Sequence, residues 1–235
     1  IRVIGSGAFA FPSRQAPPFS TGKTVMRVVE TFVSIQGETT WAGIPCFFIR
    51  LAGCNLRCAW CDTAYARDPA AGREETVAAL IQAFHASGLA AVMVTGGEPL
   101  LQEKTPALVR ALREAGAEPV LVETNGSRDI GLLPPGTVAV VDVKCPSSGM
   151  ADTFHPGNLD RLRPTDEIKF VVADRADYEW ARALMRRHDL ARRCRAVLFS
   201  PVAGRLAARR LAEWLVADRL PARLQIQLHK VLGLP

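Results

Sequence analysis

The chain has 235 residues, a formal net charge of +6, 49% hydrophobic residues and 22% charged residues. That balance excludes a disordered chain, and the length allows one domain with a sizeable core. No apolar run approaches the roughly 18 residues needed to span a bilayer, and "AFAF" near the N-terminus is too short for a signal-peptide core. The expected location is the cytoplasm, where clustered cysteines stay reduced and more often bind metal or do chemistry than form disulfides.

Residues 1–25 carry Gly, Pro and Ser without periodicity, start at Ile1, and precede the first methionine, Met26. They are expected to be a disordered upstream extension or a misplaced start. Residues 26–235 are expected to form a single domain. Residues 27–34 alternate as a strand, "QGETTWAG" is a loop, and 44–53 read as a second, buried strand. Residues 74–87 look helical, with Val77, Leu80, Ile81 and Phe84 on one face and Gly88 closing the helix. Residues 90–97 form a strand running into a glycine turn. Thr105 is expected to cap a helix with Pro106 at its first position, ended by Gly116. Strands follow at 119–126, 137–144 and 167–174, then a helix at 175–187, a strand at 194–202, a helix at 205–217 and a last strand at 223–230.

Strands alternating with helices argue for a mostly parallel α/β sheet of βα units. Polar and glycine-rich signals stand just after the strands, at Cys54, Gly96, Asn125, Lys144 and Ser200. Ligands of βα folds bind at those carboxyl ends. No repeat or linker divides the chain. Nine arginines fall between Arg182 and Arg210. They read as a solvated helix face, or as a docking face for an acidic partner. No aromatic-interleaved basic strand suggests direct nucleic-acid binding.

Three of the six cysteines, Cys54, Cys58 and Cys61, sit in "LAGCNLRCAWCDT". A structural zinc site needs four ligands. Cys46 or Cys145 would have to supply the fourth, and neither has a partner at x2 spacing. Cys58 and Cys61 also fit a redox pair. An iron–sulfur cube normally takes four thiolates, so three leave one iron with an exchangeable position. The Cys-x3-Cys-x2-Cys spacing, with Trp60 before the third cysteine, resembles the signature of the radical S-adenosylmethionine (SAM) superfamily. "TGGEP", one βα unit later, resembles that superfamily's motif for the cofactor's amino group. Two glycines allow close backbone approach, and Glu98 offers an acceptor. The resemblance implies a partial (βα) barrel, a 4Fe-4S cluster, SAM chelated at the open iron, and a 5′-deoxyadenosyl radical.

"ETFVSIQGE", "FIRLAGCNLRCAWCDT", "VTGGEPL", "VETNGS", "DVKCPSSG", "EIKFVVADRADYEWA", "VLFSPV" and "QLHKVLGLP", in this order from Met26 to Pro235, resemble 7-carboxy-7-deazaguanine synthases. This implies a lyase that turns 6-carboxy-5,6,7,8-tetrahydropterin into 7-carboxy-7-deazaguanine and ammonia, for queuosine or another 7-deazapurine. It also implies Mg²⁺, a homodimer, and flavodoxin or ferredoxin as electron donor. Cys54, Cys58 and Cys61 would hold the cluster, and Thr63 would offer oxygen to Mg²⁺. Trp60, Cys61, Asp62, Gly96, Gly97, Glu98, Ser147, Ser148 and Phe199, Ser200, Pro201 and Val202 would bind SAM. Ile35, Gln36, Gly37, Arg50, Thr95, His229 and Pro235 would bind substrate. Arg50 has its own argument, because a guanidinium in an apolar strand wants a partner and suits a carboxylate. The tail is implied to fold back, its carboxylate near the substrate. His85 and His188 read as structural, and no residue stands out as a general base. Two other readings share parts of the pattern. A radical activating enzyme acting on a partner protein shares the cysteine loop but not "SIQGE", Arg50 or the tail. A zinc-stabilised nucleic-acid-binding module would rest on the arginine run alone.

Overall fold

The computed structural model describes residues 24–235. Apart from Thr24 and Val25, the expected N-terminal extension lies outside the described residues. Val25 already pairs with Thr76, so the first strand begins two residues earlier than expected.

One nine-stranded sheet organises the chain. Its strands are β1 (Val25–Ile35), β2 (Pro45–Leu51), β3 (Arg73–Thr76), β4 (Ala91–Gly96), β5 (Val120–Thr124), β6 (Val138–Lys144), β7 (Glu167–Val172), β8 (Ala196–Pro201) and β9 (Arg223–Leu224), in the order β3-β1-β2-β4-β5-β6-β7-β8-β9. β1 is antiparallel to both β2 and β3. Every pairing from β2 through β9 is parallel. β3 and β9 do not pair with each other, so the barrel is partial, as expected.

Helices α1 (Val77–Ser87), α2 (Thr105–Glu114), α3 (Asn158–Arg161), α4 (Arg175–Arg187), α5 (Leu190–Arg193), α6 (Ala208–Ala217) and α7 (Leu228–Leu232) complete the chain. None is long and apolar enough to cross a membrane. The Thr76 side chain accepts from the Ala79 amide to start α1, and Gly88 ends it in the left-handed region.

The strands have two apolar faces because both are covered. Val92, Val94, Val120, Val122, Ala139, Val141, Ile168 and Phe170 pack outward in the same core as Leu80, Leu108, Leu112 and Tyr178 of the helices. The alternate residues Cys46, Met93, Leu121 and Val140 point inward, with Trp41, Ile44 and Phe48 against them. They plug the barrel interior. The plug is pinned by Glu167, fully buried at the start of β7, which accepts from the amide and hydroxyl of Thr40.

Four local expectations change. Residues 73–76 pair with β1 as β3, so the first helix starts only at Val77. Thr105 lies inside α2, and its hydroxyl donates to the Pro99 carbonyl instead of capping. α6 starts three residues later than expected. The last predicted strand pairs only at Arg223 and Leu224, and Leu228 onward is helical.

Candidate active site

The inward-facing series change character at one level. On β2, Phe48 is followed two residues later by Arg50. Met93 gives way to Thr95, Leu121 to Glu123, Val140 to Asp142 and Glu167 to Lys169. A period of two keeps each of these polar residues on the inward face of its predecessor, which is apolar on every strand but β7. Arg50 lies opposite Thr95, and Asp142 opposite Lys169. A cavity of about 420 Å³ opens above the plug, and all of these polar residues line it.

Lys169 is 3% exposed and faces three carboxylates. Its Nζ donates to Glu38 Oε2 at 2.7 Å and to Glu123 Oε1, and lies 3.4 Å from Asp142 Oδ2. Burial alone would discharge the ammonium, but Glu123, Glu38 and Asp142 hold its pKa well above the ordinary lysine range. Asp142 is buried too, yet Lys144 and Lys169 keep its carboxyl below its usual value. Glu38 is lowered in the same way, against burial, chiefly by Lys169. Two buried polar atoms of the lining have no protein partner among the described residues, the donor Gln36 Nε2 and the acceptor Asp142 Oδ1. A buried polar atom left unpaired is costly, so such atoms point to a polar ligand.

Arg50 donates its Nε to Glu30 at 2.7 Å, and Tyr65 donates to the same carboxylate oxygen. Its guanidinium packs on the Phe32 and Tyr65 rings. Among the described residues no acceptor takes its Nη atoms, which leaves a planar donor pair for an anion.

The cysteine loop forms the other end of the cavity. Cys54, Cys58 and Cys61 are half-buried and line it together with Trp60, Asp62 and Thr63. Burial raises the Cys58 thiol and Lys144 works against that rise. Among the described residues no three Cys, His, Asp or Glu side chains converge on a single ion. Each cysteine of a cube binds its own iron, so thiols held apart in one loop suit a cluster better than one metal ion. Gly97 lets the β4 turn press onto this loop. A Cβ there would lie 2.7 Å from the Cβ of Cys54, and closer still to the Gly53 carbonyl. The Gly97 and Glu98 amides donate to the carbonyls of Leu51 and Gly53.

The C-terminal tail meets the end of β1, the loop after it and the cysteine loop at the open side. Leu228 donates its amide to the Gly37 carbonyl, Gln227 Nε2 bonds Glu38 at 2.6 Å, and Lys230 bonds Asp62 at 2.6 Å. Ser34 donates to the Pro235 oxygen at 2.7 Å. Ile35, Gln36, Gly37, His229 and Pro235 therefore line the cavity, as do Gly96, Gly97, Thr95 and Val202.

Other expected residues do not line it. Glu98 is fully buried, and its two oxygens accept from the Leu100 and Asn125 amides and the Thr124 hydroxyl. These three bonds brace the turn after β4. Ser147 is tied to Asp177, and the Ser148 carbonyl accepts from the Ala59 amide. Ser148 thus supports the cysteine loop from behind, and Ser147 anchors its own turn to α4. Phe199 packs between Phe170 and Tyr178 in the outer core, and neither Ser200 nor Pro201 reaches the lining. Lys169, Glu38, Glu123, Asp142, Gln227 and Lys230 also line the cavity, beyond the residues expected from sequence. A charge interrupting each apolar strand, in "VLVETN", "VAVVDVK" and "EIKFVV", was the available signal. Cys46 belongs to the inner plug and Cys145 to the outer core, and burial pushes the Cys46 thiol up to about 12. Neither lines the cavity as a fourth ligand.

Residues 48–138 match the Radical SAM superfamily. A 7-carboxy-7-deazaguanine synthase of Koribacter versatilis is 44% identical over 89% of this chain and 98% of its own length. One from Chlorobaculum tepidum is 42% identical over 89% of this chain and 95% of its own. The crystal structure of QueE from Escherichia coli superposes with a TM-score of 0.71 at 25% identity, over 86% of this chain and 94% of that one. Identity at this level across nearly whole relatives places the chain in the 7-carboxy-7-deazaguanine synthase family, within the radical SAM superfamily.

Proposed function

We propose that the chain converts 6-carboxy-5,6,7,8-tetrahydropterin to 7-carboxy-7-deazaguanine and ammonia. The observation that carries the reading is a single polar cavity joining the three-cysteine loop to Arg50 and the unpartnered Gln36. The reaction loses only ammonia and is redox-neutral overall, so the hydrogen taken from the substrate must be replaced.

Cys54, Cys58 and Cys61 would hold a 4Fe-4S cluster, with SAM beside Trp60, Asp62, Gly96, Gly97 and Val202. Bound together, these groups supply the one-electron chemistry that removes hydrogen from the carbon bearing the carboxylate. Arg50 would grip that carboxylate with its Nη atoms. Gln36 Nε2 and the backbone of Ile35 and Gly37 would bond the pterin's amide edge. Thr95 and His229 would flank the ring, and Thr63 would offer its hydroxyl to Mg²⁺ next to the carboxylate. The folded-back tail would exclude water and hold the substrate in one orientation. Exposed Val216, Val231 and Leu232 offer apolar surface of the kind a homodimer covers. A reductant such as flavodoxin or ferredoxin would supply the electron.

The test is anaerobic reconstitution with iron and sulfide, followed by SAM, Mg²⁺, dithionite and the pterin. The expected product is 7-carboxy-7-deazaguanine, lost in Cys58→Ala. SAM cleavage with the pterin untouched would keep the radical chemistry and sink the substrate.

A further inference from the structure

We infer that Arg57, Arg67 and Arg205 form the docking face for a small acidic one-electron carrier protein. The inference rests on the radical-enzyme reading above, because a cluster in this loop needs an electron from outside. It assigns a surface that the arginine count alone puts elsewhere.

All three guanidiniums touch the cysteine loop. Arg57 Nη1 donates to the carbonyls of Cys54 at 2.9 Å and Leu56 at 2.8 Å. Arg67 Nη2 donates to the Cys58 carbonyl at 3.0 Å. The Arg205 guanidinium sits over the Trp60 ring, 5.3 Å from its centroid. Arg57 and Arg205 are exposed and Arg67 half-buried. Among the described residues none of the three pairs with a carboxylate.

Most of the other arginines in the run differ, Arg186 and Arg187 being the exceptions. Arg182 pairs with Asp218 at 2.5 Å and Arg193 with Asp160 at 3.1 Å. Arg195 faces Glu167, and Arg209 and Arg210 both face Glu213. Local carboxylates cancel most of the field of those arginines. The uncancelled charge near the loop is what an acidic partner meets. Each cation is also fixed by the loop it surrounds, through a carbonyl or an aromatic face, so docking there adds little ordering cost. A carrier seated here would be oxidised by one electron and the cluster reduced by one, with no atom transferred. The route would cross only the backbone that carries the three thiolates.

The test titrates reconstituted enzyme with an oxidised acidic flavodoxin and reads the dissociation constant at low and high salt. Binding should weaken with salt, and Arg57→Glu with Arg205→Glu together should weaken it about tenfold or more. Arg205→Glu alone should weaken binding while dithionite-driven turnover stays within about twofold of wild type. The control Arg193→Glu should change binding less than about twofold, because its charge is already paired. Salt-independent binding, equal loss in the control, or no binding at all overturns the docking face. Turnover with dithionite but no flavodoxin binding overturns the docking face alone. Flavodoxin binding at these arginines without any pterin turnover overturns only the reaction.

Discussion

Lys169 is the residue on which the inner wall depends. Its ammonium offsets three carboxylates, the buried Asp142 and the half-buried Glu38 and Glu123, and removing it takes the chief counter-charge from Glu38. Breaking a buried pair of this kind costs about 3–5 kcal/mol. Lys169→Met should therefore lower the urea midpoint substantially, and by an amount that depends on pH. In the native chain the Glu38 and Asp142 pKa values are depressed. Their stabilisation is full above the ordinary carboxylate range, about pH 4, and is lost as pH falls through the folded values. Lys169 is raised, so its contribution is full below about pH 10 and lost only above that. Without Lys169, Glu38 loses the charge that holds its carboxyl down and burial raises it, while Lys144 still faces Asp142, so stability should fall as pH rises through the Glu38 range. The gap between native and variant midpoints should be wider at pH 7.5 than at pH 4.5. Equal gaps would mean the carboxylates are not coupled to Lys169. Gly97 gives a second residue-scale outcome. Gly97→Ala places a methyl against Cys54 and the Gly53 carbonyl. The far-ultraviolet dichroism should stay native while iron incorporated per chain falls by half or more. The cysteines, Arg50 and Gln36 were legible because their residue types announce chemistry or their motif does. Lys169 was not, because a lysine in a strand normally points to solvent, and only the register across β6 and β7 puts it opposite Asp142.

Among the elements, α7 stands apart. It has no buried residue, and polar contacts hold it in place. The Lys230–Asp62 pair is partly exposed, and such pairs are worth about 0–1 kcal/mol. Burial works against the Asp62 charge and Lys230 outweighs it, so Asp62 stays ionised to lower pH than an ordinary aspartate. Lys230→Ala should leave the melting temperature nearly unchanged and raise the pterin KM about twofold to fivefold. Hydrogen exchange over residues 226–235 should quicken in the same variant. A lowered melting temperature with an unchanged KM would make the pair structural. The strand expectation over α7 also has a physical origin. "RLQIQLHK" alternates apolar and polar residues, which is the strand period. β8 pairs with Arg223 and Leu224 and takes the Gln225 amide at the Phe199 carbonyl, but the Gln225 side chain turns to donate to the Gly37 carbonyl and the ladder ends there. The β3 segment failed the opposite way. "REET" has good helix formers, but the free edge of β1 recruits it.

At the scale of the whole molecule, the partial barrel leaves its interior open between β9 and β1, and side chains rather than a strand close the gap. Trp41 and its loop close the lower half, pinned by Glu167. The tail closes the upper half and supplies Gln227, His229, Lys230 and Pro235 to the cavity wall. A parallel sheet and a cysteine loop at the carboxyl ends were legible in alternating periodicity and spacing. The closure was not, because it depends on contacts such as Ser34 with Pro235 that join opposite ends of the chain. The same division separates stability from catalysis. The two buried cores contain no residue beyond Ala222, so the fold does not depend on the tail for its apolar burial. Deleting residues 226–235 should thus cost little stability, about 1–2 kcal/mol for the lost hydrogen bonds. Iron incorporation should persist, because Gly97, Glu98 and Ser148 brace the backbone of the cysteine loop and the tail touches it through the exposed Asp62 side chain. Pterin turnover should fall by about a hundredfold or more, since a loosely oriented substrate loses that much rate. SAM cleavage without pterin product should remain measurable in the truncated chain. If iron content and pterin turnover fell together, the tail would be part of the cluster's support, and closure and chemistry would be one unit rather than two.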